Sequence, residues 1–348
     1  QEASLSFVHD AVVSPSSVGL LGYGFVGTSG FGAKGIIVSD TTWTLADSPV
    51  YVLGDVQVPS GVTLTIEAGV EVLFTGGYEI LMQGVVLIEG TEGSPVSFGS
   101  STGSSVAATG LKFIGTDLGG SSIDWLSFSG LDTAIRIGEE SEHDQGGKNT
   151  GELVASNLSV TNGLILTDGY DTLASLRLED VVFFGATVRG AYPRSEPIAI
   201  VGGEIVSSEV NSDSYNKGIS LESVEVSDSE FRMGCCGANL TLTDCVVRDS
   251  SFSDYNNYYN VTIESSLLTR TPISLAQSNG VTISDSQLVF AGTGGVIAKD
   301  LTMTNSSVIG GDVGLALSGD SSVSGSLVTQ CRVGIELRSQ GKLSLRDR

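Results

Sequence analysis

Short stretches that alternate apolar and polar residues return at a nearly constant interval through the second half of the chain. They begin at Ile198, Ile219, Leu240, Val261, Val281, Leu301 and Ser321, at intervals of 21, 21, 21, 20, 20 and 20 residues. Alternation inside each stretch predicts a strand with one buried face, and the constant interval predicts coils stacked into a solenoid. Two residues into each strand stands a column of Ile200, Leu221, Leu242, Ile263, Ile283, Met303 and Val323, which extends upstream to Leu178. A second column reads Val226, Val247, Leu268, Leu288, Val308 and Val328. Both must point inward, because strand side chains have a period of two.

Bends support the same register. Asp180, Ser223, Asp244, Ser265, Asp285 and Asn305 each fall four residues after a strand start. Asp, Asn and Ser suit bends because their side chains bond nearby backbone groups. A β-sandwich of evenly spaced hairpins would favour Asn-Gly or Asp-Gly turns and a looser interval. The reading is therefore all-β, a single solenoid with about 20 to 22 residues per coil. Its strands occupy residues 49–348, behind an N-terminal cap or contact segment over 1–48, where Gly is dense between Gly19 and Gly35. A last coil starts at Lys342 with Leu343 inward and stops at Arg348, which predicts an open edge for self-association or for another extracellular protein.

The segment from Trp43 to Phe74 contains Gly61-Val-Thr-Leu-Thr-Ile-Glu-Ala-Gly-Val70. It resembles the opening coils of pectin-lyase-like right-handed parallel β-helix proteins, surface and structural members in particular. The resemblance implies a right-handed β-helix; it implies little about activity, since the superfamily hosts lyases, hydrolases, adhesins and structural parts. Its hydrolases would bring Asp-Asp, Gly-His-Gly and Arg-Ile-Lys motifs. Here there is no Asp-Asp pair and no Gly-His-Gly, and Arg136-Ile137-Gly138 stands in place of the last.

Charge narrows the partners. Seventeen basic against 40 acidic residues give a net charge of −23, which repels phosphate backbones and anionic lipid, so neither nucleic acid nor membrane insertion is expected. It also opposes a polyuronate. Candidate glycosylation sequons begin at Asn157, Asn239, Asn260 and Asn305, and the chain opens on Gln1 rather than Met. Together these predict a secreted or cell-surface location.

Candidate chemistry is sparse. His9 and His143 are too few and too separated for a metal site or a nucleophile's base. Glu139, Glu140, Glu142 and Asp144 could offer oxygens to calcium, but their spacing is not that of an EF-hand, and no cofactor is expected. Cys235, Cys236 and Cys245 form a candidate disulfide group, whereas Cys331 lies four coils away, about 19 Å at the usual strand spacing. Tyr170, Tyr192, Tyr215, Tyr255, Tyr258 and Tyr259 share one phase of the repeat, a candidate edge for a partner or a glycan. Thr241, Thr262, Thr282 and Thr302 align on an outward face, with Thr243, Ser284 and Thr304 beside them, although Glu222 and Glu264 interrupt the array. The sequence thus predicts an extracellular, non-catalytic structural or adhesive solenoid, assembled head to tail as a filament. A polysaccharide-active enzyme or carbohydrate-binding module is the alternative, and ice binding through the threonines a third.

Overall fold

A computed structural model of the chain describes residues 30–138, 148–168, 173–190, 197–212, 218–234, 239–254, 259–338 and 341–346. They form one parallel β-solenoid of about 13 turns with a spacing near 22 residues. A regular coil contributes three strands. One coil supplies Asn239–Thr243, Val246–Arg248 and Ser251–Asp254, and the next supplies Asn260–Glu264, Leu267–Thr269 and Ile273–Leu275. Equivalent strands pair in parallel, which gives a first, a second and a third sheet along the solenoid.

Register follows the apolar columns. Leu242 stands opposite Ile263, Ile263 opposite Ile283, and Ile283 opposite Met303, all fully buried. Val226, Val247, Leu268, Leu288 and Val308 form the corresponding buried column of the second sheet. Aromatic rings fill the wider parts of the interior. Phe231 and Phe252 stack in the third sheet with centroids 4.5 Å apart, and Phe98 meets Phe128 edge-on at 5.3 Å in the second.

Two bends hold the strands in these columns. At the first bend Asn157, Asp180, Ser223, Asp244, Ser265, Asp285 and Asn305 all adopt φ between 49° and 57°. At the second, Asn162, Ser207, Asp228, Asp249 and Arg270 do the same, with φ between 50° and 55°. Such left-handed conformations are tolerated by Asn and Asp and costly for most other side chains. The bend turns the next N–H away from the strand ladder, and a buried hydroxyl in the following coil accepts it. Ser208, Ser229 and Ser250 donate their N–H groups to Ser229, Ser250 and Thr271 Oγ atoms at 3.0, 3.1 and 3.3 Å. At the first bend the chain of acceptors is Ser266, Ser286, Ser306 and Ser326, each at 3.1 Å.

The solenoid begins earlier than the sequence suggested. Phe31–Ile36 pairs in parallel with Val50–Val58, and Thr41–Trp43 with Thr63–Glu67, so coil structure starts well before residue 49. Two glycines and a lysine within Phe31–Ile36 erase the apolar alternation that marks later coils. Residues 1–29, which carry most of the Gly-rich stretch, lie outside the described residues.

Ile263→Ala empties one position of a continuous column and is expected to cost about 2–5 kcal/mol. Thr262→Ala, on the outward face of the same strand, should stay within about 0.5 kcal/mol. Urea unfolding followed by circular dichroism checks both. Ser250→Ala leaves the buried Ser229 N–H without its acceptor and should cost about 1–3 kcal/mol by the same measurement.

Candidate functional site

The outer face of the second sheet carries the first candidate surface. Along its border with the first sheet runs a groove of about 500 Å³, lined among others by Glu92, Pro95, Trp125, Asn157, Asp180, Val182 and Glu204. Because Trp125, Asn157 and Asp180 come from successive coils, it crosses the coils rather than following one strand. Trp125 occupies a first-bend position with φ 49° and is half-buried. Every other non-glycine residue with a positive φ at that bend is Asn, Asp or Ser. A bulky side chain held left-handed stores strain of about 1–3 kcal/mol, and such outliers gather at functional sites.

Neighbouring residues keep the groove open. Gly202 takes the position of Asp180 in the next coil, with φ 74°, and a Cβ there would lie 2.6 Å from the Asp180 carboxylate. Gly203 lines the groove, and a Cβ on it would meet the Val181 carbonyl at 2.1 Å. The Asn157 amide donates to Asp124 at 2.9 Å, fixing that side of the groove. Farther onto the same sheet, Val182 and Phe184 are 54% and 53% exposed. Ser127 also lines a smaller hollow of about 250 Å³ that continues the surface over earlier coils. The arrangement offers an indole, aliphatic surface, hydroxyls and carboxylates, which suits a ligand with apolar ring faces and many hydroxyl groups.

A second depression of about 540 Å³ lies where the second sheet turns into the third, lined by residues including Gly185, Thr187, Arg189, Glu209, Asn211 and Arg232. Arg189, Asn211 and Arg232 stand in register on consecutive coils of the third sheet. Lys112 and Arg136 precede them on the same outward column, paired with Glu79 at 3.2 Å and with buried Asp168 at 2.9 Å. Among the described residues, no group of three or more His, Cys, Asp or Glu is placed to hold a metal, and no helix is long and apolar enough to cross a membrane.

No family model matches the sequence, and no curated protein does. Among solved structures the chain is similar to a mutant tailspike protein of E. coli bacteriophage HK620, solved in complex with a hexasaccharide. The two are 13% identical with a TM-score of 0.33, over 91% of this chain and 71% of the tailspike.

The residues singled out in the sequence distribute unevenly. Tyr170, Tyr192, Tyr215, Tyr255 and Tyr258 lie outside the described residues, as do Cys235, Cys236, His9, His143 and the acidic segment from Glu139 to Asp144. Tyr259 does not face the solvent edge: its ring is fully buried, and its hydroxyl donates to Asp254 at 2.5 Å. It directly precedes the strand Asn260–Glu264, which draws the ring under the coil. Asn260 and Asn305 are exposed, whereas Asn157 and Asn239 are half-buried. Threonines 241, 262, 282 and 302 do stack in register, and Glu264 stands in the neighbouring file between Thr243 and Ser284.

Cys245 is a free, buried thiol rather than half of a disulfide. It follows the first-bend residue Asp244, where later coils carry serine, and its Sγ donates to the Leu221 and Thr243 carbonyls. Cys331 fills the equivalent place at the second bend, bonded to Gly310 and Thr329. Both cysteines thus substitute for ladder serines. Trp125 and the Arg232 column went unnoticed in the sequence, although Trp125 lies 32 residues before Asn157 at the same bend. The segment inserted between those coils hides the shared phase.

Burial pushes the Cys245 thiol above its ordinary range, and the Cys331 thiol upward as well. The thiolate is the reactive form, so native Cys245 should react with a disulfide reagent at pH 8 far more slowly than after unfolding in urea. Following the released thiolate colour with and without denaturant checks this, and a native rate equal to the unfolded rate would contradict the assigned burial.

Proposed function

We propose that the chain is an extracellular, non-catalytic adhesive solenoid that binds a neutral glycan along the outer face of its second sheet, with Trp125 as the anchoring ring. The observation that carries this reading is the half-buried indole held in a strained bend, in a groove that the Asp180 and Glu204 carboxylates also line. Sugar rings present C–H faces to an aromatic plane, while their hydroxyls donate to carboxylates. The ligand is neutral because a protein of net charge −23 repels polyanions, and the groove's own carboxylates would face a uronate's. Strain retained at Trp125 is economical only where the indole does something an asparagine could not.

The chain has two tryptophans, and the other, Trp43, is only 2% exposed. Binding at the groove should therefore shift the fluorescence of Trp125 and shield it from acrylamide. Trp125→Asn should restore the residue type of the bend, leave the melting temperature equal or higher, and lower affinity for the bound glycan at least about tenfold. A screen of neutral and uronate oligosaccharides, with fluorescence and melting as readouts, tests both halves. Unchanged affinity in the variant would remove the groove from the mechanism. New reducing ends in the same assay would assign the groove carboxylates to hydrolysis instead.

A further inference from the structure

We infer that the depression at the turn from the second to the third sheet is a separate site for a neutral, hydroxyl-rich sugar, recognised by Asn211 and Arg232. The ligand class rests on the proposed function; the residues do not. Asn211 is 9% exposed, and its Nδ2 donates to Glu209 at 3.0 Å, which fixes the orientation of the amide. Its Oδ1 is buried with no hydrogen-bond partner. Buried acceptors are seldom left unpaired, so this oxygen calls for a donor. Arg232, opposite Asn211 on the next coil, is 44% exposed and meets Glu209 and Glu230 only at 3.5 Å. Contacts that long leave most of a guanidinium's five donors open to an acceptor.

The two demands select the ligand's chemistry. A carboxylate would accept from Arg232 but would crowd Asn211 Oδ1 and Glu209. An ammonium would donate to both oxygens but would meet the guanidinium of Arg232. A hydroxyl donates once and accepts twice, and so satisfies amide and guanidinium together. The depression's volume of about 540 Å³ has room for a ring, and Gly185, whose φ is 62°, lets its wall pass close to Asn162, where a Cβ would sit 2.2 Å from Oδ1.

The test uses the full chain carrying Trp125→Asn, so that the groove is disabled, and titrates hexasaccharides of glucose, mannose and N-acetylglucosamine, with hexagalacturonate for contrast. Calorimetry should show residual binding of at least one neutral hexasaccharide, weakened about tenfold or more when Arg232→Gln is added. Asn211→Ala should do the same, and the exposed Arg232 keeps the test decisive if the buried variant misfolds. Residual binding indifferent to Arg232→Gln, stronger binding of the uronate, or no residual binding at all would each overturn the site, the last leaving only an ordered water on Asn211. Loss of the Trp125 fluorescence response in the native chain bears on the groove alone, so the two readings fail separately.

Discussion

The register of this solenoid depends on most coils from Trp125 onward bending left-handed at the same two positions. A shift of one residue in any coil would turn its whole inward set outward, because strand side chains alternate with a period of two. The left-handed bend residues fix that phase, and the ladder of buried serines makes it tolerable by accepting the N–H that each bend displaces. The serine hydroxyl in turn donates a hydrogen bond to a carbonyl two residues back, as Ser229 does to Ser227 at 2.7 Å. Polar residues inside this tube are therefore part of the bending device, and the apolar columns supply the burial that drives stacking.

Uniform stacking also makes exceptions legible. On each outward face, equivalent positions recur at about 4.8 Å, so a residue that breaks a column is displayed against otherwise similar neighbours. Trp125 breaks a column of Asn, Asp and Ser; Gly202 breaks it again two coils after Asn157 and bares a carboxylate. The first departure costs conformational ease and the second removes a side chain, and both lie on the outer surface. Their convergence on one groove gives that surface its claim to function.

The fold was readable because the later coils contain nothing except the repeat. Alternation at Ile263 and Ile283, and the Asp-or-Asn bends, state inward face and turn together. The early coils were harder. Phe31–Ile36 holds its place through backbone pairing and the burial of Ala33, with little apolar pattern to betray it. The candidate site was less readable still, since its residues come from coils lengthened by insertions, where positions that stack in space are 32 residues apart instead of 20. Tyrosine phase misled at Tyr259 for a related reason: phase locates a residue around the coil but does not say whether it points in or out next to a turn. Adjacent cysteines suggested pairing, yet Cys245 answers to the ladder's need for a small hydrogen-bonding side chain.

Rigidity links the architecture to the kind of ligand it suits. Groove residues sit on strands or bends whose backbones are bonded on both sides, so little conformational entropy is lost when a ligand arrives. A single sugar ring on one indole binds weakly, but a polymer repeats, and so does the solenoid. Once one ring is held, the next is offered to the adjacent coil at a high effective concentration, which raises avidity without any new kind of contact. The gain requires that the spacing of sites not drift. That constancy comes from the bends and the buried serines behind them, so the interior ladder sets the pitch at which the exterior can read a chain.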